Sequence, residues 1–155
     1  MIDKYVLMCK DTPVGDLTYD TAKKEFVFEK YSNIDNRKYL PLGMYSYMNW
    51  NLEYIPTSDD IKFWIQERVV PEERQNIDEI LKAIGLIYYD SWEICRRTRG
   101  MCMEDYFWLS KGEKYEDVHM RYLSEQGRIK ETPIPFYAEN YPPEFKIVGD
   151  RIIRN

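Results

Sequence analysis

Residues 58–86, SDDIKFWIQERVVPEERQNIDEILKAIGL, decide the fold class of this chain. Ile61, Trp64, Ile65 and Arg68 recur at the spacing of one helical face, which predicts a helix with a buried stripe. Ser58 is read as its cap, and Asp59 and Asp60 suit the positive end of the helix dipole. Pro71 ends or restarts the chain. A second helix follows, with Asn76 as cap and Ile77, Ile80, Leu81 and Ile84 on one face. Gly85 fits the left-handed position after its last turn, and Leu86 the apolar contact that accompanies such an ending.

Upstream, the period changes from helical to alternating. Tyr5-Val6-Leu7-Met8 is a short apolar run, and a turn is expected around Asp11-Thr12-Pro13. Residues 15–19 and 25–31 read as a hairpin joined through Asp20-Thr21-Ala22-Lys23, with Phe26 and Phe28 on one face and Glu25, Val27 and Glu29 on the other. Residues 32–51, rich in Asn, Tyr, Pro and Gly, read as an irregular connection. Downstream, a third helix is expected from Asp90 or Ser91 to near Gly100, burying Trp92 and Cys95, and then a short strand or extended segment at Tyr106–Leu109. The proline-rich stretch 133–145 should be extended. Residues 145–148 and 151–154 flank Gly149-Asp150 as a tight hairpin would require.

The expected fold is therefore α+β. It has a small N-terminal antiparallel sheet packed with a central layer of about three helices, and a C-terminal extended tail with a short hairpin. The chain is read as one domain, 1–155, with a β-hairpin region at 1–31, a helical core region at 57–123 and a tail at 127–155. At 155 residues and 44% hydrophobic content there is material for one core.

Composition narrows the function. A net charge of −5 argues against general binding to nucleic acid or anionic membranes, which needs a basic footprint. No apolar run approaches the ~20 residues of a membrane helix, and the N-terminal MIDKYVLMCKD lacks a signal-peptide core, so a cytoplasmic location is expected. Cys9, Cys95 and Cys102 are odd in number and lack CxxC spacing; free reduced thiols are the simplest reading. No cofactor and no metal are expected, since soft ligands are too few for zinc. The closest glycines, Gly100 and Gly112, are twelve residues apart, which excludes the familiar phosphate-cradling loops.

The block 86–123, LIYYDSWEICRRTRGMCMEDYFWLSKGEKYEDVHMRYL, concentrates candidate chemistry. His119 is the single histidine, and nothing in its spacing from Cys95 or Cys102 supports a nucleophile–base pair. Glu104, Asp105, Glu116 and Asp117 are the carboxylates from which a small hydrolase or nuclease would draw its site. Arg96, Arg97 and Arg99, with Arg121, either complete a helix end and its salt bridges or hold anionic groups beside Tyr88, Tyr89, Tyr106 and Trp108. Nucleic-acid binding through this run is the less favoured version. Trp64, Trp92 and Trp108 are read as core. Trp50 differs: it sits in a polar loop with Tyr45, Tyr47 and Tyr54, which is either a recognition surface or a loop folded over the sheet.

Four pieces, YVLMCKDTPVGDLTYD (5–20), PLG (41–43), KFWIQERVVPEERQNIDEILKAIGL (62–86) and MCMEDYFWLSKGEKYEDV (101–118), together resemble the N-terminal region of HipA-like kinase proteins of Firmicutes. The resemblance spans roughly residues 4–120. In those proteins such a segment precedes a Ser/Thr kinase domain. This chain carries no ATP-binding glycine loop and no catalytic-loop motif, so kinase activity is not carried over. What the resemblance implies is a stand-alone accessory module. In the wider group, small separate subunits of this kind restrain the kinase toxin. The expected function is thus a non-enzymatic interaction module with a protein partner, a HipA-like kinase in a toxin–antitoxin or mobile-element setting. The alternatives are the carboxylate enzyme and the arginine-run nucleic-acid binder.

Overall fold

A computed structural model describes residues 1–102 and 105–115, together with the strands Phe145–Val148 and Arg151–Arg154. The fold is α+β. Strands β1 (Ile2–Cys9), β2 (Thr12–Asp20), β3 (Glu25–Lys30) and β4 (Phe107–Ser110) form an antiparallel sheet in the order β3-β2-β1-β4. Three helices follow the first hairpins: α1 (Ser58–Arg68), α2 (Ile77–Ala83) and α3 (Ser91–Thr98).

Alternation places Tyr5, Leu7, Leu17, Phe26, Phe28 and Leu109 on one buried face, while Glu25, Val27 and Glu29 stay exposed. The register stacks Tyr5, Leu17 and Phe28 side by side across three strands. Trp92 of α3 closes over this face, its ring 5.6 Å from Tyr5, 5.5 Å from Tyr19 and 5.1 Å from Phe26. Gly15 has no room for a side chain: a Cβ there would lie 2.4 Å from the Glu29 carbonyl oxygen. Trp64, Trp92 and Trp108 are all buried, as their positions on apolar faces predicted.

The first turn is tighter than expected. Thr12 and Pro13 belong to β2, and the turn is Lys10-Asp11, with Lys10 at φ 55°. Leu7 pairs with Gly15 and Met8 with Pro13, so Val14 is the extra residue of a bulge. The bulge admits Pro13, which has no N–H for a regular ladder. The second turn is built on Asp20, whose carboxylate accepts from the amides of Ala22 and Lys23 at 3.0 and 3.2 Å.

Helix α1 is capped one residue earlier than predicted. Thr57 accepts from the Asp60 amide at 3.1 Å while the Asp60 carboxylate accepts from the Thr57 amide at 2.9 Å, a reciprocal capping box. The Ser58 hydroxyl instead accepts from the Phe26 amide at 3.0 Å, tying the start of α1 to the outer edge of β3. Asn76 stands at the start of α2 in a left-handed conformation without a side-chain capping bond. The end of α2 is as expected, with Gly85 at φ +80° and the Leu86 amide donating to the Leu81 carbonyl at 2.8 Å. Asp90 caps α3 through the Glu93 amide at 3.1 Å.

Strands β5 (Phe145–Val148) and β6 (Arg151–Arg154) pair antiparallel with Val148 opposite Arg151. The turn residues Gly149 and Asp150 and the tail 127–144 lie outside the described residues.

Candidate functional site

The arginine run of α3 turns toward the sheet. Arg99 ends the helix in a left-handed conformation, and its side chain is only 3% exposed. Its guanidinium lies over the Tyr5 ring at 5.3 Å, with Nε 3.8 Å from Glu113. Lys111 approaches the same ring at 4.7 Å. Arg96 and Arg97 both pair with Glu93, one turn back on the helix. Burial would raise the Glu93 pKa, but the hydrogen bond from Arg97 and the charges of both arginines outweigh it and hold the carboxyl below its usual range. The Tyr5 phenol is pushed up by burial, partly opposed by its hydrogen bond with Arg96 and the charge of Arg99. Glu93 and Glu113 thus sit among Arg96, Arg97 and Arg99. The cluster ties the end of α3 to Tyr5 of β1 and to Glu113 in the segment after β4. Arg121 lies outside the described residues, and of the neighbouring tyrosines Tyr88 is exposed and Tyr89 partly buried.

The carboxylate candidates divide differently. Asp105 forms a bidentate pair with Arg68 at 2.6 and 2.8 Å. Arg68 also donates to the carbonyls of Gly100 and Phe107 at 2.7 and 2.8 Å and stacks on Trp64 at 4.5 Å. Asp105 is therefore a structural anchor. Glu104, Glu116 and Asp117 lie outside the described residues, as does His119. Among the described residues no group of three or more His, Cys, Asp or Glu is arranged to hold a metal. Cys9, Cys95 and Cys102 are free thiols, and burial pushes Cys95 up to about 12. A small cavity of about 30 Å³ lies between α1, α2 and α3, lined by Arg68, Val70, Ile80, Ile84, Ile94 and Thr98.

The Trp50 loop combines an anchored base with an exposed tip. Tyr45 is buried and meets Tyr54 edge-on at 5.9 Å, and burial pushes its phenol up to about 12. Tyr54 in turn donates its hydroxyl to Asp60 of the α1 capping box. Trp50 is partly buried, its indole N–H donating to the Leu40 carbonyl at 3.1 Å. Leu40, Pro41 and Met44 are buried beneath. Between these anchors the turn Tyr47–Asn49 carries Tyr47 and Met48 outward at 84% and 93% exposure. Of the four rings named from the sequence, Tyr47 is the exposed one, Tyr45 is core, and Trp50 and Tyr54 are supports.

Sequence reasoning did not single out Arg37, which lies at 4.8 Å over the Trp50 ring, or the Arg68–Asp105 pair. The position of Arg68 on the buried stripe of α1 was the available signal for the second. Among the described residues no helix is long and apolar enough to cross a membrane. No family model matches the chain, and no curated protein matches it either.

Proposed function

We propose that this chain is a protein-interaction module whose docking surface is the loop from Asn36 to Ile55. The observation that carries the reading is the pairing of a fixed base with a bare tip. Tyr45, Trp50 and Tyr54 are held by burial and hydrogen bonds, while Tyr47 and Met48 project almost fully into solvent. With the backbone beneath them already ordered, binding costs only the rotamer freedom of the two exposed side chains, and large exposed side chains on a fixed base are suited to anchor an interface. Exposed Ile55 and Leu42 extend the apolar surface of the same segment.

The partner favoured by the sequence resemblance is a HipA-like kinase, with this chain as its accessory or restraining subunit. The test is co-expression with a kinase-like protein encoded beside it, followed by affinity purification of the tagged chain. Stoichiometric co-purification is expected, with loss in a Tyr47→Ala/Met48→Ala variant that retains its melting temperature. A kinase-like neighbour that never associates with the wild-type chain sinks the assignment.

A further inference from the structure

The chemistry of the partner surface is legible in the same loop, and this inference rests on the interaction reading above. Between the flanking acids Asp35 and Glu53, residues 36–52 contain no Asp or Glu, although the whole chain carries a net charge of −5. Within them, Arg37 and Lys38 are exposed and take part in no ion pair among the described residues. Each is instead placed over a ring. The Arg37 guanidinium lies 4.8 Å from the Trp50 ring centroid, and the Lys38 ammonium 5.0 Å from that of Tyr39.

The placement is held from both sides. Asn36 accepts from the Lys38 amide at 2.9 Å, and the Leu40 amide donates to the Arg37 carbonyl at 2.9 Å, closing a helical turn at Arg37–Tyr39. The carbonyl of Leu40 then accepts the indole N–H of Trp50. The arginine and its platform are thus ordered by one short segment. A guanidinium stacked on an indole keeps a planar fork of N–H donors, suited to a carboxylate. Tyr47 and Met48 stand within one turn of Trp50 in the chain.

We infer that this surface binds an acidic segment of a partner protein. Arg37 clamps a carboxylate, Lys38 adds attraction, and Tyr47 and Met48 receive a large apolar side chain next to that carboxylate. Two cations on an acidic chain are a thin footprint for a polyphosphate, whose binding scales with the number of phosphates neutralised.

The experiment is selection of a random twelve-residue peptide library, displayed on phage, against the immobilised full chain. Selected peptides are then synthesised with a fluorescent label and measured by anisotropy. Enriched peptides should carry Asp or Glu beside a large apolar residue. Their affinity should fall about tenfold or more with Arg37→Ala and less with Arg37→Lys, which keeps charge but loses the fork. Both substitutions are at an exposed position, and losing the contact with Trp50 should lower the melting temperature by no more than a few degrees. Failure to enrich any peptide, enrichment without acids, or acidic peptides indifferent to Arg37→Ala overturns the inference. So does binding of a labelled twelve-nucleotide oligo-dT that Arg37→Ala abolishes, which would make the ligand a nucleic acid. The two readings separate cleanly. If the kinase-like protein co-purifies equally well with an Arg37→Ala/Lys38→Ala variant, this inference falls and the interaction reading stands. If no kinase-like protein associates but acidic peptides are selected and lost with Arg37→Ala, the kinase assignment falls and the acidic-segment surface stands.

Discussion

Replacing Arg68 by methionine removes a guanidinium that joins three parts of the fold while keeping much of the side-chain bulk over Trp64. The Arg68 side chain is 5% exposed and donates to Gly100, Phe107 and both oxygens of Asp105. Hydrogen bonds from a charged group contribute about 1.5–3 kcal/mol each, and a carbonyl left unpaired in the interior costs a similar amount. The two carbonyls therefore account for about 3 kcal/mol. Asp105 is 38% exposed, so water screens its loss and the ion pair adds about 1 kcal/mol or less. The expected cost of Arg68→Met is about 4 kcal/mol, whereas Asp105→Asn, which leaves the carbonyl contacts intact, should cost about 1 kcal/mol. With a urea slope of about 2 kcal/mol per molar, the midpoint should fall by about 2 M for the first and about 0.5 M for the second. Urea titrations followed by circular dichroism and tryptophan fluorescence measure both. An Arg68→Met midpoint within about 0.5 M of wild type would refute the reasoning, because the carbonyl bonds could not then be contributing as described.

Burial and close packing lead to further expectations. Gly15→Ala drives a Cβ to 2.4 Å from the Glu29 carbonyl oxygen, so β2 and β3 must part locally. A loss of at least about 2 kcal/mol is expected, and an unchanged thermal melt would contradict the packing described. Cys95, buried and pushed up to about 12, should resist an aromatic disulfide reagent at pH 8 until urea unfolds the chain, while Cys9 and Cys102, only partly buried, react first. The same shift has a sign. The folded state holds the thiol proton more tightly than the unfolded one, so this stability is complete below pH 9 and is lost as pH rises toward about 12. Tyr45, raised from 10.0 to about 12, acts in the same direction, and urea midpoints at pH 8, 9.5 and 11 should fall in that order.

Much of the candidate surface was partly visible in the sequence and partly not. The loop around Trp50 stood out through its density of rings, but density does not say which ring points outward. Tyr45 and Tyr47 are two residues apart; one is buried against Tyr54 and the other is exposed. The difference arises where the chain turns at Ser46, whose hydroxyl accepts from the Asn49 amide at 3.2 Å, and the period of a strand or helix gives no guide there. The arginines show the same limit in reverse. Arg99 meets Glu113 only because β4 returns to the sheet.

The amino-acid sequence by itself determined the change from alternating to helical periodicity, the apolar stripe of α1, the Gly85 ending of α2, the start of α3 at Asp90 or Ser91 and the terminal hairpin. Each of these depends on interactions within about one turn or one hairpin, where side-chain spacing and turn chemistry act directly. Tertiary structure alone decided that β4 pairs with β1, setting Cys9 opposite Phe107, and that Arg68 reaches Asp105. It also decided which cations are turned inward and which, like Arg37, remain on the surface. Burying a charge is favourable only where a partner is delivered to it, and here the partners come from elements far away in the chain.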